Sequence, residues 1–169
     1  MWFFMILCYL LMALSFMMLL FTGVQGYVGF VFFGINHATM SLLTVVIYLF
    51  TSTLLMFFFV GTGVSVKEYI LEKKGGTPEH YQRCIQIKRI AYPPMLWNLL
   101  WVSLLFIVGA AVHTHRVPGW IHGLLFWVAL FHWGKTMIVQ HRCFKENTKI
   151  MLETFGVIAS TPNHFTKKA

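Results

Sequence analysis

The chain alternates between long apolar runs and short polar interruptions, and no residue from Met1 to Val66 carries a formal charge. Such a stretch is too long and too apolar for the interior of a soluble domain, and lipid is its natural solvent. The first run, "MWFFMILCYLLMALSFMMLLF", covers residues 1–21. It lacks the basic start and the small-residue cleavage site of a signal peptide, so it reads as a retained membrane helix. "GVQGYVGFVFFGIN" follows, with four glycines and no charge. It is too short to cross again and too greasy to float in water, and reads as an interfacial or re-entrant connection or the first turns of the next helix.

Three further spans are expected at 37–60, 94–112 and 118–139. "GTG", residues 61–63, is expected to end the second, because glycine tolerates the backbone angles of a helix stop. Pro93-Pro94 is expected to precede the third, and Pro118 to open the fourth. At about 1.5 Å per residue each run is long enough for a hydrocarbon core of about 30 Å. The fold class is therefore all-α: a single polytopic domain of four transmembrane helices, with a partly helical loop at 64–92 and a tail at 140–169. In the loop, "VSVKEYILEKK" extends as a helix until Gly75-Gly76. "TPEHYQRCIQIKRI" offers Thr77 as N-cap, Pro78 in the first helical position and Glu79 in the first turn. Its isoleucines either dock on the membrane surface or pack onto the tail. "HRCFKENTKIMLETF" is expected to prolong the fourth helix, with Arg142, Lys145 and Glu146 on a solvated face.

Charge gives the direction. The formal net charge is +8. Apart from Arg116, the basic residues fall in the 64–92 loop or at and beyond the end of the fourth span. This is the asymmetry of the positive-inside rule, and it places loop, tail and both termini in the cytoplasm, in a bacterial inner membrane. The 22–36 connection and the "HTHRVPG" turn then face outward. No basic groove with stacking aromatics speaks for nucleic acid. Three cysteines, with no CxxC or CxxH motif, read as free thiols.

Candidate chemistry lies in the histidines. His37 opens the second span and His122 lies one turn inside the fourth, while His113 and His115 occupy the outer turn. All four share one level. As neutral imidazoles on facing helices, His37 and His122 suit the axial positions of a haem b or a related pigment, with Phe30, Phe32, Phe33, Phe126 and Trp120 as walls. Alternatively, His37, His113, His115 and His122 surround a copper or zinc ion. The bland alternative is that they are interfacial side chains bonded to backbone, water or headgroups. His132 lies about 21 Å below Pro118 by helical rise, level with Asn98. A bond between His132 and Asn98 would satisfy both, and a quinone accepting from His132 is a further expectation for this layer. Lys135, one turn on, snorkels to the headgroups.

The spans contain no Asp or Glu, which disfavours an ion carrier, and no nucleophile is paired with a base, so the chain alone is not expected to be an enzyme. Four spans with histidines on the second and fourth resemble, in layout, the membrane anchors of respiratory complexes that hold haem b and quinone. No motif carries that resemblance, so no residue role follows from it. The expectation is a small subunit of a respiratory or photosynthetic electron-transfer complex, surrounded by lipid and other membrane subunits. The alternative is a scaffold or assembly subunit without cofactor.

Overall fold

The computed structural model describes residues 2–72 and 75–156. Four helices run in chain order: α1 Trp2–Val28, α2 His37–Leu71, α3 Pro78–His113 and α4 Gly119–Thr154. The rest of the expected tail, residues 157–169, lies outside the described residues. α1, α2 and α3 are long and apolar enough to cross a membrane. Consecutive helices pack side by side, most extensively α3 on α4, and α1 also meets α4. α2 and α4 approach across the diagonal, whereas the described backbones of α1 and α3 do not meet.

The buried positions explain this packing. Along α4 they include Phe126, Ala129, Trp133, Thr136, Gln140, Cys143, Asn147, Ile150 and Thr154. The steps alternate between three and four residues, the spacing of knobs-into-holes seams. The opposite faces of the bundle expose large apolar side chains such as Ile6, Phe57, Ile107 and Phe131.

Three expected boundaries are corrected. α1 does not stop at residue 21 but continues to Val28 through the first half of the supposed connection. Its glycines serve close packing there: a Cβ on Gly23 would collide with Phe126, and one on Gly26 with His37. The outer turn is correspondingly short. Phe33 and Gly34 take positive φ, and Phe32 and Ile35 exchange backbone hydrogen bonds of 3.2 and 2.8 Å. That is a tight primed turn. Asn36 then caps α2, its Oδ1 accepting from the Thr39 amide at 2.9 Å. Second, α2 runs straight through Gly61-Thr62-Gly63 to Leu71. Gly63 is a seat for a neighbour, since a Cβ there would lie 2.8 Å from Lys88 Nζ. Third, Pro93 and Pro94 lie inside α3, which starts instead at Pro78 with Thr77 as N-cap. Membrane and bundle helices tolerate interior proline where neighbours cover the freed backbone. Thr136 of α4 donates to the Pro94 carbonyl at 3.4 Å.

The first half of α3 packs onto the end of α4. Arg83, only 2% exposed, inserts between Glu146 and Glu153, two turns apart on α4. Its Nη2 donates to Glu146 Oε1 at 2.6 Å, and its Nη1 to Glu153 Oε2. Burial opposes the guanidinium charge, yet the hydrogen bonds from both carboxylates hold its pKa above the ordinary value. His80 completes the cluster. Its Nδ1 accepts the Thr77 amide at 2.9 Å, which leaves Nε2 facing Glu153 at 3.7 Å. Glu146 is thus buried, and not part of a solvated face. An acid at this position turns inward because the buried Arg83 guanidinium lies opposite it.

Cys84 and Cys143 are buried beside this cluster, and burial pushes each thiol up to about 11. Both thiols therefore stay protonated, and are expected to resist a maleimide at pH 8 until the protein is unfolded. Arg83→Met strands two buried carboxylates and is expected to cost about 3–5 kcal/mol, read as a lowered melting temperature in detergent. Arg83→Met combined with Glu146→Gln and Glu153→Gln is expected to recover part of that loss.

Candidate functional site

The outer end of the bundle is built on glycines facing imidazoles. His37 begins α2 directly after the Asn36 cap, and its ring lies over Gly26 of α1, where a Cβ would come within 2.9 Å of Cε1. His122, on α4, lies over Gly109 of α3 at the same distance. Each ring thus occupies the space of a missing side chain on a neighbouring helix. The two rings meet across the α2–α4 diagonal, centroids 6.1 Å apart and planes at 77°.

Hydrogen bonding sets the nitrogen roles. His37 Nδ1 is 3.1 Å from the Thr22 carbonyl and so donates to it. This leaves Nε2 with the lone pair, and only the Ser41 hydroxyl approaches it, at 3.5 Å. His122 is hydrogen-bonded to the Leu105 carbonyl, while its Nδ1 is buried without a hydrogen-bond partner. A neutral ring at either position keeps one acceptor nitrogen. The surrounding layer is polar. Thr22 and Thr44 join through their hydroxyls at 2.8 Å. Gln25, fully buried, donates to the Ile35 carbonyl at 2.9 Å but leaves its Oε1 without a partner.

The structure brings together some of the expected residues and separates others. His37 and His122 are adjacent. His113 and His115 are exposed in the outer turn, and among the described residues no three His, Cys, Asp or Glu side chains form a group that could hold a metal ion. The proposed four-histidine copper or zinc site is therefore not assembled, because the α3–α4 turn carries His115 in a left-handed conformation, φ 57°, out in solvent. Of the expected walls, Phe126 remains in the bundle, 7% exposed. Phe30 and Phe32 stack on Phe21 instead, and Phe33 and Trp120 point outward at 88% and 70% exposure.

A second polar layer lies deeper. His132 Nδ1 is 3.2 Å from Asn98 Oδ1, and Asn98 Nδ2 donates to Tyr48 Oη at 2.9 Å. Three helices are joined by one chain of bonds. With Asn98 Oδ1 taking the Nδ1 proton, the neutral His132 ring keeps only an acceptor at Nε2, so the expected donation to a quinone carbonyl does not follow. Tyr48 was the member missed from sequence, where it reads as one more aromatic in an apolar run; its position about one turn before the polar run Thr51, Ser52 and Thr53 was the available signal.

The pair of imidazoles fits one class of group better than another. A protein zinc or copper site takes three or four side-chain ligands. Two suffice for an iron whose remaining positions a porphyrin fills. Comparison with known proteins adds no further guide: no family model, curated protein or solved structure matches the chain. Asn98→Ala is expected to strand His132 and Tyr48 together and to cost about 1–3 kcal/mol, measured as a lowered melting temperature in detergent, whereas Tyr48→Phe removes only one acceptor and costs less.

Proposed function

We propose that this chain is a four-span subunit of a membrane electron-transfer complex that holds a haem b through His37 and His122 near the outer surface. The observation that carries the reading is the diagonal imidazole pair, 6.1 Å between centroids, with Nδ1 of His122 lacking a hydrogen-bond partner and Nε2 of His37 at a long 3.5 Å from the Ser41 hydroxyl. When bound, a haem supplies a one-electron carrier. The chain's own residues do the positioning. The Thr22 carbonyl holds the proton of His37 on Nδ1 and fixes the ring plane, as partners of ligating histidines do. The Leu105 carbonyl does the same for His122. Gly26 and Gly109 let both rings sit against helix backbone.

The reading takes α4 as the fourth span. α4 runs the length of α3 and packs along it. Its buried polar groups, among them Thr136, Gln140 and Asn147, face the bundle, while Leu124, Trp127, Phe131 and Ile138 are exposed where lipid or other subunits would lie. In this proposal the α2–α3 turn and both termini face the cytoplasm of a bacterial cell, a direction that the basic residues clustered at that end support through the positive-inside rule.

The test is the absorption spectrum of protein purified from haem-replete cells. A Soret band with the signature of low-spin bis-imidazole iron is expected. It is expected to be lost in His37→Ala and in His122→Ala, and weakened in Gly109→Ala, whose methyl displaces the His122 ring. A colourless protein that takes up no added haemin contradicts the proposal.

A further inference from the structure

At the opposite end of the molecule, a groove of about 330 Å³ opens between the first turns of α1 and the last third of α4. Met5, Tyr9, Phe144 and Leu152 form its apolar walls, and Lys145 and Lys149 its basic edge. The register of the two helices is fixed there by three contacts. Tyr9 Oη lies 2.9 Å from His141 Nδ1, the Tyr9 and Phe144 rings stack at 5.0 Å, and the Thr148 hydroxyl approaches Met5 Sδ at 3.3 Å.

Two features of this groove point to one kind of occupant. First, α1 is apolar to its very start, and Phe3, Phe4 and Ile6 are exposed. These side chains need hydrocarbon at the height where α4 displays lysines, so the edge of the bilayer passes through the groove. Second, the acids of this stretch of α4 are withdrawn from it. Glu146 and Glu153 point into the bundle onto Arg83. Among the described residues no carboxylate lines the groove. Lys145 and Lys149 are one turn apart, hence neighbours on one helix face, and both ammonium groups can reach one phosphate.

We propose that this groove binds an anionic phospholipid of the inner leaflet, with an acyl chain against Tyr9 and Phe144 and the headgroup phosphate on Lys145 and Lys149. An apolar slot ending in paired cations at the membrane surface complements an anionic lipid and not a zwitterionic one. The site rests on the membrane orientation proposed above but not on the haem.

The test uses the full chain, delipidated in a neutral detergent, titrated with phosphatidylglycerol or phosphatidylcholine. The readouts are native mass spectrometry and melting temperature, with the absorption spectrum recorded on the same samples. Phosphatidylglycerol is expected to bind on the order of thirtyfold more tightly, the discrimination that two lysines near an anionic headgroup provide, and to raise the melting temperature. Lys145→Gln with Lys149→Gln is expected to abolish the preference, whereas Lys67→Gln with Arg89→Gln is expected to retain it. Equal binding of both lipids overturns the proposal, as does a preference that survives the Lys145/Lys149 substitutions. A shift reproduced by inorganic phosphate alone assigns the lysines to a free anion and also overturns it. Binding seen only after removal of residues 157–169 identifies that segment as the occupant. None of these outcomes depends on a Soret band, so this proposal and the haem proposal fail separately.

Discussion

A polar group inside an apolar bundle must find its partner within the bundle, and α4 is where this constraint is felt most. It carries His122, His132, Thr136, Glu146, Asn147 and Glu153 on a helix rich in tryptophan, leucine and phenylalanine. Each is met from another helix or turn. His122 reaches the Leu105 carbonyl, His132 reaches Asn98, and Thr136 reaches the carbonyl of Pro94. Asn147 accepts from Thr62 of α2 at 3.0 Å, and the two glutamates share Arg83. These partners, more than apolar contact alone, fix the rotation and register of α4, because Leu, Phe and Met faces pack almost interchangeably.

The strength of the polar groups follows the medium. At the outer end they are neutral imidazoles, amides and hydroxyls. At mid-depth they are a phenol, an amide and one more imidazole. Among the described residues, buried charge lies at the other end of the bundle, where Arg83 sits between two carboxylates. Removing one partner from such a cluster is costly, whereas replacing the whole cluster by apolar groups need not be. The cluster is therefore better understood as holding the ends of α3 and α4 in one register than as a source of net stability. That rigid inner end leaves the outer end free to present His37 and His122 at a fixed separation.

Much of this was legible in the chain. The apolar runs located the helices, the Thr77-Pro78 cap was read correctly, and the continuation of α4 beyond the last span followed from its sequence. Equal depth of His37 and His122, and the His132–Asn98 bond, came from counting helical rise. What was not legible has a common cause. Gly23, Gly26, Gly63, Pro93 and Pro94 read locally as interruptions, but three glycines are contact points for side chains of other helices, and the prolines sit in a helix held by its neighbours. A single chain read residue by residue does not reveal which neighbour fills a missing Cβ. Glu146 was misjudged for the same reason: a carboxylate between lysines suggests solvent until Arg83 is seen opposite.

The account depends on α4 crossing the membrane beside α3, so that its polar stripe lies inside and the imidazole pair lies at the outer end. Cysteine substitution at the two flanks of α4 tests this most directly, since Cys8, Cys84 and Cys143 are all buried. With a membrane-impermeant maleimide on intact spheroplasts, Thr114→Cys is expected to be labelled at once, and Arg142→Cys only after permeabilisation. Labelling of both from the same side would show that α4 does not cross, and would contradict the account.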